Sequence, residues 1–200
     1  MTLEVLRGAA DISDALGELT RDVARGVVLV RGSRGSAGSG VIWDAPGLVL
    51  TNHHVVPGPT AQLTISDGRR LNARVVRRAP SLDLAALAVD EDLGALSAQI
   101  GDSDALRVGD LVIAVGNPMG ERSAPSVGIL ASAPREVLRL AITLRPGNSG
   151  GALANATGEI VGIPNMVTGS GLALAVSTRT VRRFLSGAAT NSDEGDLIWI

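Results

Sequence analysis

Residues 62–77 read Gln-Leu-Thr-Ile-Ser-Asp-Gly-Arg-Arg-Leu-Asn-Ala-Arg-Val-Val-Arg. Two short runs of strand-forming residues flank the dipeptide Asp67-Gly68, which is typical of a tight turn between antiparallel strands. We therefore predict a β-hairpin with strands over Gln62–Ser66 and Leu71–Arg77.

Short β-runs separated by Gly, Pro, Asn and Asp lie on both sides of this hairpin, as expected where strands alternate with tight turns. Together with the hairpin, four of them form a first six-strand half over residues 27–95: Val27–Arg31, Gly40–Trp43, Leu48–Thr51 and the nearly continuous apolar run Leu82–Val89.

The second half of the chain repeats this pattern of short strands separated by turn residues, and it ends in a short closing helix over Thr178–Leu185. Its six predicted strands are Leu111–Gly116, Ser126–Ala131, Val137–Ile142, Gly151–Ala154, Glu159–Val167 and Leu172–Val176. Two such sets favour an all-β fold of two six-stranded antiparallel barrels. The second barrel with its helix then occupies residues 96–186, and segment 92–110 is the linker.

The two ends of the chain differ from the barrels. Residues 1–26 form a helical arm, because Ile12, Leu16, Leu19 and Val23 share one helical face over residues 11–25. This arm either packs on a barrel or serves oligomerisation or regulation. The tail, residues 187–200, is acidic and then apolar; it is an edge strand, an occupant of an active site, or a tag that a partner binds.

Composition excludes several classes of function. The chain has 200 residues, of which 45% are hydrophobic, a net charge of −2, two histidines and no cysteine. We therefore expect no nucleic-acid partner, no disulfide, no thiol chemistry, no metal and no cofactor.

No apolar run is long enough for a membrane span, and residues 1–10 lack a signal-peptide pattern. Together these features predict a cytoplasmic location, or an extracytoplasmic one if a signal was removed.

A serine between glycines is the first candidate for chemistry, in the segment Gly147-Asn148-Ser149-Gly150-Gly151. Such a loop can aim the N–H groups of Gly147 and Ser149 at one point, beside a hydroxyl nucleophile. Taken alone, the pattern is more often an ordinary turn. A serine nucleophile also needs a base, and either His53 or His54 is available for it.

A carboxylate is needed to orient that base, and Asp83 stands at the start of the apolar run Leu84–Val89. The alternative for Asp83 is an ordinary exposed residue at a strand start. The order His, Asp, Ser along the chain is one of the known triad orders.

Taken as an ordered set, seven segments resemble the HtrA/Deg branch of the trypsin-like serine proteases, which have the chymotrypsin-like fold. The resemblance implies that His54 is the general base, Asp83 the orienting acid and Ser149 the nucleophile. It also implies an oxyanion loop made by the N–H groups of Gly147, Asn148 and Ser149, and no cofactor. The segments are 38–42, 50–56, 83–85, 101–109, 115–118, 127–129 and 145–151.

The same resemblance implies a substrate pocket near Thr143, Leu144, Gly162 and Ile163, with Leu144 and Ile163 narrowing it. No Asp or Glu occurs in this part of the sequence, so a Lys or Arg side chain would lack a counter-charge there. We expect cleavage of unfolded or extended polypeptides after small aliphatic residues. The family further implies a homotrimer, whereas too few residues follow the closing helix for a PDZ domain.

Two other classes of function compete with this interpretation. The first is a catalytically weak protease-fold module that binds unfolded chains and is regulated by its tail. The second is a scaffold protein that acts through its helical arm and tail. An α/β-hydrolase esterase is excluded, because no histidine follows Ser149 in the sequence.

Overall fold

The computed structural model describes residues 3–43, 47–121, 123–168 and 171–187, and it consists mainly of two closed antiparallel barrels with six strands each. This architecture confirms the predicted all-β, two-barrel fold with one helix near each end. No helix in these ranges is both long and apolar enough to cross a membrane. The tail beyond residue 187 lies outside the described residues.

The first barrel has the strand order β1-β2-β3-β6-β5-β4. Its strands are β1 Val27–Arg31, β2 Ala37–Ile42, β3 Leu48–Thr51, β4 Thr60–Thr64, β5 Arg70–Ala79 and β6 Leu84–Ala88. The predicted hairpin is β4–β5, where Leu63 faces Leu71 and Gly68 has φ +93°. A positive φ is easy only for glycine, which explains the Asp-Gly turn.

The second barrel has the order β10-β11-β12-β9-β8-β7. Its strands are β7 Leu111–Gly116, β8 Ala124–Ser132, β9 Val137–Ala141, β10 Ala152–Asn155, β11 Ile160–Val167 and β12 Ala173–Ser177. Strand β11 contains an irregularity between Pro164 and Met166, where its pairing with β12 shifts by one residue. Such a bulge bends a strand and leaves one residue without a ladder partner.

Two helices complete the fold: α1, Leu3–Arg25, and α2, Thr178–Ser186. Helix α1 begins eight residues before the predicted start at residue 11, because the apolar periodicity does not extend that far while its Leu, Glu and Ala residues still favour a helix. Helix α2 is capped at its N-terminus by Ser177, whose side chain accepts a hydrogen bond from the N–H of Thr180, and at its C-terminus by Gly187 in the left-handed conformation.

Three apolar clusters form the core, one inside each barrel and one that joins the barrels to the helices. We call the third the interbarrel cluster. It contains residues from both barrels and both helices, among them Val23, Val41, Trp43, Leu50, Leu84, Ile113, Val115, Ile163, Val176, Val181 and Phe184. Because residues of both barrels pack in it, this cluster sets how the barrels face each other.

Phe184 anchors α2 in the interbarrel cluster and is only 2% exposed. Truncation to alanine removes most of that contact and leaves a cavity, so Phe184→Ala should lower the free energy of unfolding by about 3–5 kcal/mol. Urea denaturation measures this. The control, Ile12→Ala, changes a side chain that is 64% exposed on α1 and should stay within about 0.5 kcal/mol of the wild type. Equal losses in the two variants would contradict this packing.

Candidate active site

His54 lies in a single 3-10 turn, His53–Val55, directly after β3. The two residues that follow it, Val55 and Val56, are buried in the core of the first barrel and anchor the turn. The imidazole is 51% exposed, so it is accessible from outside the barrel.

Asp83 precedes β6 with φ 51° and ψ 42°, which is the left-handed region that a non-glycine residue rarely adopts. Two hydrogen bonds to its main-chain oxygen hold this conformation: the N–H of His53 donates at 3.1 Å and the amide of Asn52 at 2.8 Å. The strained backbone directs the Asp83 carboxylate toward the turn after β3.

Both carboxylate oxygens of Asp83 contact His54. Oδ2 lies 2.8 Å from Nδ1 of the imidazole, and Oδ1 accepts a hydrogen bond from the His54 N–H at 3.1 Å. An ionised carboxylate only accepts, so in a neutral imidazole at this position Nδ1 carries the proton and Nε2 is the acceptor. The ring therefore has the tautomer and the orientation of a general base.

His53 has different surroundings. Its Nδ1 lies 3.1 Å from the Arg78 guanidinium, which also donates to the carbonyl oxygens of Val56 and Gly58. The residues alone left His53 and His54 as alternatives; of these two histidines, His54 is the one whose side chain contacts the Asp83 carboxylate. Arg78 thus supports the turn His53–Val55 through these contacts. Its position among the basic residues of β5 gave no sequence signal for that role.

The serine loop depends on two glycines with positive φ, Gly147 at +100° and Gly150 at +82°. A Cβ on Gly150 would lie 2.4 Å from Thr51 Oγ1 and 3.1 Å from the nitrogen of Asn52. The serine loop of the second barrel thus packs directly against the chain that leads to His54.

Of the three N–H groups predicted for the oxyanion loop, one is occupied. The N–H of Asn148 donates to the carbonyl oxygen of Arg145 at 3.0 Å, closing a turn with Pro146 and Gly147 in its middle. This corrects the expectation for Asn148. Within the described part of the chain, the N–H groups of Gly147 and Ser149 donate to no atom, so these two remain as donors for an anion.

The hydroxyl of Ser149 donates to the carbonyl oxygen of Asn165 at 3.1 Å. Among the hydrogen bonds of the described residues there is none between Ser149 and His54. The hydroxyl or the imidazole must therefore move before the two groups can share a hydrogen bond. The carbonyl of the preceding residue, Pro164, accepts from the N–H of Gly150 at 2.9 Å.

The contacts of Pro164 and Asn165 were not predicted from the sequence. Both residues lie at the bulge of β11, which leaves Asn165 without a partner in the ladder with β12 while Pro164 stays paired with Ala175. The only available signal was the Pro-Asn pair inside an otherwise apolar strand.

The four residues predicted for a substrate pocket lie in different surroundings. Thr143 is exposed, and Leu144 is half-buried against the core of the second barrel. Gly162 is buried in β11 opposite Leu153 and Ser177. Ile163 is completely buried in the interbarrel cluster. The expectation that Ile163 narrows an open pocket is therefore corrected, because its side chain packs between the barrels.

No group of three or more His, Asp or Glu in the described ranges is placed to hold a metal ion. The chemistry available at this site is that of a hydroxyl, an imidazole–carboxylate pair and two free N–H donors. This combination suits acyl transfer by a serine nucleophile.

Comparison with known proteins identifies a family and several relatives of this chain. The profile of the family described as trypsin-like peptidase domain matches residues 38–163. The serine protease Do-like HtrA of Lactobacillus helveticus is 38% identical over 147 residues, which are 66% of this chain and 36% of that protein. The periplasmic serine endoprotease DegP of Escherichia coli is 35% identical over 165 residues, 74% of this chain and 35% of that protein.

Among solved structures, one described as the HtrA-type protease AlgW with tripeptide is similar, with a TM-score of 0.79 and 29% identity. The match covers 86% of this chain and 62% of that one. The chain spans about a third of the length of the curated relatives named above.

Gly147 offers a test of the loop geometry. A Cβ there would lie 2.7 Å from the Asn117 carbonyl oxygen and 2.8 Å from Pro118 Cα. Gly147→Ala should therefore displace the loop and slow labelling of Ser149 by a fluorophosphonate about 100-fold, as expected when an oxyanion donor is lost. Labelling is followed by intact-protein mass spectrometry.

The matched control is Gly109→Ala. Gly109 also has a positive φ, +94°, but a Cβ there meets nothing within 4 Å. The two variants share the backbone strain, and only Gly147→Ala adds the clash at the loop. Slow labelling in both would show that general destabilisation, not loop geometry, causes the effect.

Proposed function

The chain belongs to the family of trypsin-like peptidase domains and is a homologue of the HtrA/DegP serine proteases, and on this premise we propose that it is a serine endopeptidase. Ser149 is the nucleophile, His54 the general base and Asp83 the residue that orients the base. The observation that carries this proposal is the 2.8 Å contact between His54 Nδ1 and Asp83 Oδ2, beside a serine loop with two free N–H groups.

The proposed reaction begins when the Ser149 hydroxyl leaves the Asn165 carbonyl and donates to His54 Nε2. The imidazole accepts the proton as the serine oxygen attacks the peptide carbonyl, and Asp83 stabilises the imidazolium. The N–H groups of Gly147 and Ser149 bind the oxyanion, each contributing about 10²–10³ in rate. His54 then protonates the leaving amine, and water hydrolyses the acyl-enzyme by the same steps in reverse.

The main chain at the β11 bulge supports binding of an extended substrate. The carbonyl of Asn165 accepts the Ser149 hydroxyl, so a substrate N–H that took this acceptor would bind by strand addition and release the hydroxyl. Unfolded or extended polypeptides have their backbone N–H groups free for this pairing, and they are the proposed substrate class.

The proposed preference for small aliphatic residues before the cleaved bond rests on two observations: two segments near the proposed pocket lack acidic residues, and Leu144 supplies an apolar side chain there. Segments 143–150 and 160–168 contain no Asp or Glu, so no carboxylate there can compensate a buried Lys or Arg. With Ile163 packed elsewhere, Leu144 is the apolar side chain that remains at the proposed pocket.

A set of extended peptides that differ only at the residue before the cleaved bond tests both proposals. Peptides with Val, Ile, Ala or Leu should be cleaved at least about tenfold faster than those with Lys or Arg, since an unpaired buried charge costs more than a lost methylene. Cleavage is measured by liquid chromatography and mass spectrometry. Ser149→Ala should abolish it; a contaminating protease would cleave equally in both samples.

One observation favours a second candidate, a catalytically weak module that binds unfolded chains and is regulated by its tail. The Ser149 hydroxyl contacts Asn165 and not His54, so the resting arrangement is not yet catalytic. The tail ends in Leu-Ile-Trp-Ile, the type of side chain proposed for the pocket. In this candidate the tail acts as an occupant of an active site, or as a tag for a partner.

Truncation after Gly187 separates the candidates while keeping the C-terminal cap of α2. If the tail occupies the active site, its removal should raise kcat/KM severalfold, and a peptide with the tail sequence added in trans should restore the lower value. An unchanged rate in the truncated protein excludes this autoinhibition. If casein is bound equally by wild type and Ser149→Ala but degraded by neither, the binding module is favoured.

Assembly and location stay predictions. The homotrimer rests on the family resemblance. The DegP relative is named as a periplasmic protein, which supports an extracytoplasmic location for this chain over the cytoplasmic one predicted from residues 1–10; cell fractionation distinguishes the two.

A further inference from the structure

Ser39 lies in β2 of the first barrel and is completely buried. Its hydroxyl donates to the carbonyl oxygen of Gly147 at 2.7 Å, accepts from the N–H of Asn117 at 2.7 Å and accepts from the Asn117 side-chain amide at 3.2 Å. A hydroxyl has one donor and two acceptor sites, so all three are used.

The hydrogen bond to Gly147 fixes one peptide plane of the serine loop. The Gly147 carbonyl points at Ser39, and the Asn148 N–H at the other end of this peptide donates to Arg145. Because a peptide unit is planar, two such contacts determine its orientation. Because the Asn148 N–H donates to Arg145, the N–H groups of Gly147 and Ser149 are the two of the three predicted donors that remain to bind an oxyanion.

The preceding peptide plane is held by a neighbouring turn, residues 117–119. The N–H of Met119 donates to the Pro146 carbonyl at 3.3 Å, so the Gly147 N–H of the same peptide faces the other way. This turn is itself tied to the first barrel, because Asn117 donates its N–H to Ser39 and its side-chain amide to the Val28 carbonyl at 2.9 Å.

We propose that Ser39 is a positioning residue of the serine peptidase, whose hydroxyl holds the oxyanion loop in the shape that exposes the Gly147 and Ser149 donors. Ser39 touches no reacting atom and acts through the Gly147 peptide. The inference rests on the proposed function and adds that the first barrel, which supplies the base, also sets the geometry of the oxyanion site.

A positioning role predicts a kinetic signature that loss of stability alone does not produce. Ser39→Ala keeps the main-chain bond from Ser39 N–H to the Ser149 carbonyl, 2.8 Å, and removes only the hydroxyl. We expect kcat to fall about 10- to 100-fold with KM within about twofold, since the lost interaction serves the transition state. The affinity for a peptide boronate, which forms a tetrahedral adduct with Ser149, should fall by the same factor.

Ser177→Ala is the matched control, because Ser177 is also completely buried and its hydroxyl donates to the Arg135 carbonyl at 2.9 Å, at the start of α2. It should lower the melting temperature while leaving kcat and boronate affinity unchanged. If Ser39→Ala does not fold, Ser39→Cys replaces it, since the thiol fills the space and is a weak donor.

If the wild type is active and the Ser39 variant has the same kcat, with or without a change in KM, the positioning role is contradicted and the proposed function is not. A loss of kcat that Ser177→Ala shows equally does the same. A wild type that cleaves no peptide and is not labelled at Ser149 contradicts the proposed function and the positioning role with it.

Discussion

The buried hydrogen bonds between β2 and the serine loop are the contact on which the site depends. The imidazole–carboxylate pair belongs to the first barrel and the nucleophile to the second, so no chemistry is available unless the barrels meet in one arrangement. Apolar packing in the interbarrel cluster is strong but tolerates small shifts. The bonds of Ser39 to Gly147 and Ser149, buried and directional, define the arrangement to within the tolerance of a hydrogen bond.

This arrangement requires local conformations that are unfavourable on their own. Asp83 occupies the left-handed region without being a glycine, at a cost of about 1–3 kcal/mol. Four buried side-chain atoms of the described residues have no hydrogen-bond partner, and three of them belong to asparagines beside the site, Asn52, Asn148 and Asn165. A buried polar group that neither protein nor water satisfies costs about 1–3 kcal/mol. Unfavourable terms that concentrate at one place are expected where chemistry rather than stability selected the residues.

The hairpin at Asp67-Gly68 and the two sets of six strands were predicted correctly, because turn chemistry and strand propensity act between near neighbours. Asp83 was placed at the start of an apolar strand, and the structure has it one residue before β6. Ile163 was expected at a pocket; it packs instead in the interbarrel cluster, and the strand's own pattern does not show this contact.

The sequence by itself determined the order of elements, the strand count of each barrel and the small set of residues able to do chemistry, because these follow from local periodicity and from which side chains are present. Only the tertiary structure decided that the Asn148 N–H donates to Arg145 while those of Gly147 and Ser149 have no acceptor among the described residues, and that the Ser149 hydroxyl contacts Asn165. The orientation of a peptide plane depends on partners distant in the chain: Ser39 and Gly147 are 108 positions apart, and no local pattern records their contact.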